Sequence, residues 1–515
     1  MFSSVKSFGL SGLNCFEVNV ETDLSGGLPS FELVGLPDAA VKESRDRVRS
    51  AIKNCGHAFP VSRITVNLAP ADTKNIGPVY DLAILMGILS SSGQIGEINP
   101  KTAFVGELSL KGDVRAVNGV LSMTLKARDM GFESIFVPFD NRFEAGVIRG
   151  IDVFPVSNVR EVIEHLFGET KLTPYQSEIP EASEQNANAP DFCDVKGQQT
   201  AKRALEIAAA GGHNILMVGP PGSGKSMLAK RLPSILPEMT FEESLRTTEV
   251  HSVAGALQSG VSLITQRPFR SPHHTVSPFA LSGGGAYPRP GEISLAHNGV
   301  LFLDELPEFK REALEALRQP LEDGRVTVSR VSASVTFPST FMTVAAMNPC
   351  KCGYRGHPTK PCTCTPKSAF QYVNRISGPL LDRFDMHIEV MPVEFSELTS
   401  KIKEEPSSEI RKRVNRAREI QSERLRNLDA DKNIFCNAQL SERLSEKICE
   451  LSEDAKTLLR FAFEKTGMSA RAYSRVLKVA RTIADLAESE RIEEDHILEA
   501  IQYRSLDRKY WQDKF

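Results

Sequence analysis

No run of about 18 consecutive apolar residues occurs in the 515-residue sequence, which argues against a membrane-spanning helix. The first residues, Met1-Phe2-Ser3-Ser4-Val5-Lys6, lack the charged-then-apolar pattern of a signal peptide. Together these absences predict a cytoplasmic protein with no membrane partner. Excess charge of one sign is missing too. The net charge is −3, so a surface for nucleic acid has to be a local patch and not a global field. The cysteines do not form a disulfide framework: there are nine, an odd number, and four of them crowd between Cys350 and Cys364. In a reducing compartment that pattern favours metal binding. The rest of the composition is ordinary, with 41% hydrophobic and 25% charged residues, enough to bury large cores. The length suggests about three domains of ~150 residues each.

Against this plain background one stretch stands out, Gly219-Pro220-Pro221-Gly222-Ser223-Gly224-Lys225-Ser226, which fits G-x-x-x-x-G-K-[ST] at every fixed position. The apolar run Asn214 to Val218 before it reads as a buried strand, and Met227 to Leu232 after it opens a helix. Glycines let backbone N–H groups approach phosphates, and a helix N-terminus adds positive potential. The expected ATP contacts are Gly219, Pro220, Pro221, Gly222, Ser223, Gly224, Lys225, Ser226 and Met227. Lys225 would neutralise the β- and γ-phosphates and Ser226 would sit on Mg²⁺. Val300-Leu301-Phe302-Leu303-Asp304-Glu305 supplies the acidic partner of such a site. Its four apolar residues suit a strand buried on both faces. Asp304 is expected to hold Mg²⁺ through water, and Glu305 to polarise the attacking water as general base. A further apolar strand, Phe341 to Ala346, leads to Asn348, a candidate sensor of the γ-phosphate.

Organisation follows from composition. Residues 1 to 168 carry mixed signals: strands at Ile64–Leu68, Ala103–Leu108 and Ser134–Pro138, helices at Ala39–Asn54 and Asp81–Ser90, with Gly56 stopping the first helix. Residues 169 to 190 read as a polar linker, 191 to 393 as the nucleotide-binding core, and 394 to 515 as a largely helical domain. The basic run Ile410 to Arg418 reads as a solvated helix face or as a binding surface, and Arg471 to Ala487 as a packed helix. Val326 to Phe337 alternates and predicts a β-hairpin. Within the core, Cys350, Cys352, Cys362 and Cys364 form two C-x-C pairs around a Gly/Pro-rich loop. Four thiolates suit a structural, closed Zn²⁺ site, with His357 as an alternative ligand. An iron–sulfur cluster and free thiols remain alternatives. Lys351, Arg355, Lys360 and Lys367 make this loop basic.

Four further stretches carry a resemblance: Asp194 to Gln198, Arg267 to Thr275, Gly291 to Gly299, and Ser377 to Asp385. With the glycine loop and the acidic strand, they resemble the AAA+ ATPases, and within these the ComM/YifB family of Mg-chelatase-like proteins, over essentially the whole chain. The resemblance implies an α/β multidomain protein: an N-terminal Lon-protease-like α+β domain, an AAA+ P-loop core with a helix-2 insertion and a pre-sensor hairpin, and a C-terminal helical lid. It implies a ring, usually a hexamer, with ATP between neighbours. Arg383 looks like the arginine finger, Arg471 like the lid sensor, and Gly197 and Gln198 look placed to line the adenine pocket. The N-terminal likeness rests on Ser25 to Pro29, Val34 to Asp38, Asn67 to Asp72 and Gly106 to Leu108. Where Lon proteases carry their Ser–Lys dyad this chain has Val79 and Leu121, so peptidase chemistry is not expected. In such rings the helix-2 insertion and the hairpin point into the pore, where Arg270, His273, His274, Arg289 and Arg330 could contact single-stranded or branched DNA through phosphates. The competing reading is surface loops that pack between subunits. The function implied is a DNA helicase promoting branch migration in recombination of incoming DNA, with recombination proteins as further partners. A chelatase-like motor on a protein partner and an ATP-switched assembly are its rivals.

Overall fold

A computed structural model describes residues 1–70, 74–168, 170–179, 190–285, 287–330, 333–399, 403–428, 434–506 and 510–511. Ala71 and Asp72, about half of the expected linker (169 and 180–189) and Val331-Ser332 at the expected hairpin tip lie outside the described residues. No helix among the described residues is long and apolar enough to cross a membrane.

The N-terminal unit is built on a seven-stranded mixed sheet, in the order Ser30–Val34, Arg63–Ala69, Asn14–Ser25, Phe2–Ser11, Thr102–Phe104, Ser134–Pro138, Asp152–Val156. Its longest element is the antiparallel hairpin Phe2–Ser11/Asn14–Ser25, which the sequence reading missed. A period-two signal is present there: Val18, Val20 and Thr22 are buried while Asn19 and Glu21 between them are not. The helix Ala39–Asn54 has the expected bounds, with the Asp38 carboxylate accepting from the Val41 N–H at 2.8 Å. The expected strand Ala103–Leu108 is interrupted. Gly106, at φ 153°, donates its N–H to Val79 O instead of a neighbouring strand, so pairing stops after Phe104 and a two-residue strand Glu107–Leu108 follows. Val79 and Leu121 are both buried apolar side chains.

The central unit carries a five-stranded, all-parallel sheet ordered Phe269–Arg270, Val300–Leu303, Met342–Met347, Ile215–Val218, Met386–Glu389. Its three inner strands are buried at every residue. Alternate residues serve two cores. Ile215, Met217, Val300, Phe302, Val344 and Ala346 pack with the helix Gln199–Gly211, while Leu216, Val218, Leu301, Leu303, Ala345 and Met347 pack with Phe309, Leu314 and Phe337. A strand covered on both faces has to be apolar throughout, which is why these runs were legible. The expected hairpin pairs Arg325–Arg330 with Ala333–Pro338. The C-terminal helices Ser407–Asn427 and Ala470–Leu486 pack on Gln199–Gly211 and bury an ion-pair network in which Asp485 meets Arg424 at 2.5 Å and Arg481 at 3.0 Å.

Several contacts tie the first unit to the second. The helix Val120–Asp129 packs on Phe241–Ala254, where the Gly119 N–H donates to Ser252 Oγ at 3.1 Å and the Ser252 hydroxyl donates to Glu144. Burial raises the pKa of Glu144 although Ser252, Asn141 and the Leu121 N–H all bond to its carboxyl. The turn of the first hairpin also rests on the second: a Cβ at Gly12 would lie 2.1 Å from Val335 Cγ1.

Candidate nucleotide-hydrolysis site

Parallel strands end on the same edge of a sheet, and the candidate residues follow those ends directly: Gly219 after Val218, Asp304 after Leu303, Asn348 after Met347. Two glycines are required by the backbone. A Cβ at Gly219 would lie 2.1 Å from Val390 O, and Gly224 at φ 92° turns the chain into the helix Lys225–Arg231. The Lys225 ammonium is folded back into the loop, donating to Gly219 O at 2.7 Å, Pro220 O at 2.9 Å and Asn348 Oδ1 at 3.3 Å. Burial lowers its pKa to about 8, against the pull of the Asp304 and Glu305 carboxylates. Ser223 Oγ is buried with no hydrogen-bond partner, so the loop holds a hydroxyl that an anion would satisfy.

Ser226 Oγ donates to Asp304 Oδ2 at 2.5 Å. Two hard oxygen ligands in contact, from the loop and from the acidic strand, fit Mg²⁺, which binds through one or two protein oxygens plus substrate phosphates. Lys225, Ser226, Asp304 and Asn348 therefore form one contact group. Glu305 joins it through its N–H, which donates to Asp304 Oδ1 at 2.9 Å, and through the pull of its carboxylate on Lys225. Its backbone is left-handed at φ 53°, its side chain is 54% exposed, and Oε2 lies 3.2 Å from His274 Nδ1. This is a contact the sequence reading did not foresee, since it assigned His274 to DNA. The parallel register of Phe269–Arg270 against Val300–Leu301 explains it, because loops leaving the same ends of adjacent strands lie side by side.

Gly197 and Gln198, both with left-handed backbones, precede the helix Gln199–Gly211. The Gly197 N–H donates to Glu404 Oε1 at 2.9 Å, and Gln198 Nε2 donates to Ser223 O at 3.2 Å and Met391 O at 2.5 Å. Gln198 thereby links the glycine loop to the segment after the last strand. Met227 is partly exposed on the helix that follows the loop.

The four cysteines converge. Their sulfurs all lie within 4.8 Å of one another, with Cys350–Cys352 at 3.4 Å, Cys352–Cys362 at 3.5 Å and Cys350–Cys362 at 3.7 Å. A tetrahedron with Zn–S bonds of ~2.3 Å has edges of about 3.8 Å, so the cluster fits Zn²⁺ with no open position. His357 belongs to the loop instead, its Nδ1 accepting from the Thr359 and Lys360 N–H groups. The cysteine loop also touches the glycine loop, for a Cβ at Gly353 would lie 2.5 Å from Pro221 Cδ.

Arg383 and Arg471 sit together on another face. Both line a cavity of about 910 Å³ to which no residue from Gly219 to Met227 contributes. Arg383 is buried, ion-paired with Glu322 and bonded to Arg318 O at 3.2 Å and Pro379 O, while Arg471 is exposed, 3.9 Å from Asp382. Of the candidate DNA contacts, Arg270 is paired with Glu292 through two 2.7 Å bonds. His273 bonds Thr275 Oγ1 at 2.9 Å and packs against His274, ring centroids 4.1 Å apart. Arg289 is exposed, on a backbone bridge to Gly284. Arg330 ends the first strand of the hairpin, opposite Ala333.

Comparison with known proteins places three family profiles along the chain: "Subunit ChlI of Mg-chelatase" over 20–141, "Magnesium chelatase, subunit ChlI" over 191–398, and "Magnesium chelatase, subunit ChlI C-terminal" over 404–504. Competence protein ComM of Haemophilus influenzae is 45% identical over 499 residues, covering 95% of each chain. The uncharacterized protein YifB of Escherichia coli is 44% identical over 501 residues, 96% of each. An uncharacterized protein of Mycobacterium tuberculosis strain H37Rv is 41% identical over 502 residues, 97% of each.

Proposed function

Since the chain belongs to the YifB/ComM family, with magnesium-chelatase ChlI domains from end to end, we propose that it is an ATP-hydrolysing ring motor acting on DNA, a helicase that promotes branch migration as incoming DNA recombines. The observation that carries the ATPase part is the contact group itself: Lys225 on Asn348 and Ser226 on Asp304, joining three strand ends into one site. Lys225 and the loop amides bind and neutralise the phosphates, Ser226 and Asp304 hold Mg²⁺, which offsets phosphate charge when bound, and Glu305 takes the proton from water.

The separation of Arg383 and Arg471 from the chain's own glycine loop supports a ring. An arginine that serves hydrolysis but lies away from its own site serves a neighbour's, where its fork-shaped cation spreads transition-state charge. DNA is the substrate favoured by the hairpin and the His273–His274 loop, which extend from the same core as the site, and by the likeness to a competence protein. The Lon-like N-terminal unit serves as a collar, with apolar Val79 and Leu121 where a dyad would stand. The ChlI profiles favour a second reading, a motor that remodels a protein partner. ATPase rates with and without single-stranded and forked DNA decide between them. Stimulation by DNA is expected, and a rate indifferent to every DNA but raised by a protein partner would replace the first reading with the second.

A further inference from the structure

From Gly324 to Leu381 the chain runs 58 residues without one Asp or Glu, although acids make up 65 of its 515 residues, and it carries seven Lys or Arg there. Two of the seven belong to the hairpin, and Arg375 is ion-paired with Glu308 at 3.0 Å. The other four, Lys351, Arg355, Lys360 and Lys367, lie on or beside the cysteine loop. Lys351, Lys360 and Lys367 are exposed and form no ion pair among the described residues. The basic helix Ser407–Asn427 is different, for its Arg411, Lys412, Arg413, Arg416 and Arg424 each meet a carboxylate. The cysteine loop also holds an aromatic ring and a fixed donor. Tyr354 is half-buried, with Lys360 Nζ over its ring at 5.2 Å from the centroid and the His357 ring edge-on at 5.6 Å. His357 Nδ1 accepts from the Thr359 and Lys360 N–H groups, so the imidazole proton sits on Nε2 and is available to donate. The converging cysteines close the loop at both ends, Cys350 and Cys352 against Cys362 and Cys364, and present these groups in a fixed arrangement.

We propose that the cysteine loop is a further nucleic-acid contact, distinct from the hairpin and the His273–His274 loop, and that it takes a single strand. A base stacks on Tyr354 while Lys351, Lys360, Lys367 and His357 Nε2 hold the phosphates beside it. An aromatic face set among unpaired cations is a platform that binds single strands without regard to sequence, since every base has a π-face. Lys360 leaves the ring for a phosphate as the base arrives, exchanging a cation–π contact for a charge-assisted hydrogen bond. A duplex keeps its bases stacked inside and offers phosphates alone, so it forgoes the contribution of the ring. The occupant rests on the proposed DNA reading; the surface rests on the charges and the ring.

The test is the anisotropy of fluorescein-labelled oligothymidylate titrated with the full chain at several salt concentrations, in the presence of a non-hydrolysable ATP analogue. The triple variant Lys351→Ala, Lys360→Ala, Lys367→Ala should bind more weakly and lose about 2 from the slope of log affinity against log salt, ~0.7 per phosphate contact. Tyr354→Ala should raise Kd about 5- to 150-fold with the slope unchanged, and Tyr354→Phe, which keeps the ring, should bind as the parent does. Elemental analysis and gel filtration should find the parent's metal content and assembly in each variant. A triple variant with the parent's Kd and slope overturns the proposal, and so does a Tyr354→Ala variant that binds as tightly as the parent. Loss of assembly in the triple variant overturns it as well, because the loop would then be a contact between subunits. A parent that binds no oligothymidylate at any salt removes the DNA reading and this site together, whereas a parent that binds while the loop variants match it removes the site alone.

Discussion

Lys225 makes nucleotide binding pH-dependent in a calculable way. In the nucleotide-free site its pKa is held down to about 8 because the ammonium is buried among carbonyl oxygens, with Asp304 and Glu305 pulling the other way. Phosphates favour the charged form, so binding raises that pKa and takes up a proton above it. Affinity is therefore full below about 8 and lost as pH rises. The free site weakens binding by a factor of 1 + 10^(pH − pKa), about 1.1 at pH 7 and about 11 at pH 9, so Kd should rise roughly tenfold, or ~1.4 kcal/mol. The nucleotide's own phosphates are fully ionised over most of this range, which leaves the lysine as the titrating partner. The assay is a fluorescent ATP analogue titrated at constant ionic strength between pH 7 and pH 9, paired with calorimetry in two buffers of different ionisation enthalpy. Removing a supporting carboxylate with Glu305→Gln should move the midpoint to lower pH. A Kd flat across these two units, or no proton uptake at pH 9, would refute the reasoning.

Glu305→Gln should otherwise bind ATP and lose about 10²–10⁴-fold in kcat, whereas Lys225→Ala should fail to bind; parental turnover in the first variant removes Glu305 as base. Elemental analysis of purified protein should find about one zinc per chain. Stripping it should weaken nucleotide binding, because Gly353 of the cysteine loop rests on Pro221 of the glycine loop; unaltered nucleotide affinity in the metal-free protein would break that link. Arg330→Ala should weaken single-strand binding equally for all sequences and reduce the salt slope by ~0.7 log unit, one phosphate contact; an unchanged slope takes Arg330 out of the DNA path.

Much of this site was readable from the chain because parallel strands buried on both faces leave apolar runs, and the glycine loop and the acids follow directly after them. The cysteines were readable because all four ligands lie in one short loop. What escaped depends on pairing between distant segments. That His274 would lie beside Glu305 follows only once the strand before its loop is paired with the acidic strand. That Arg270 would pair with Glu292, twenty-two residues on, was likewise hidden until the two segments met. The first hairpin was missed although its alternation is plain, since its turn carries Gly12 alone and no paired turn signal.

The contact of the first hairpin with the second has a mechanical consequence. Gly12 bears on Val335, which pairs with Val328, and only two described pairs lie beyond that rung, Ser329 with Ser334 and Arg330 with Ala333. At strand spacing that is ~7 Å of ribbon. A shift of the N-terminal unit against the core would therefore press on the second hairpin close to its outer end, and any side chain larger than hydrogen at position 12 would push there permanently.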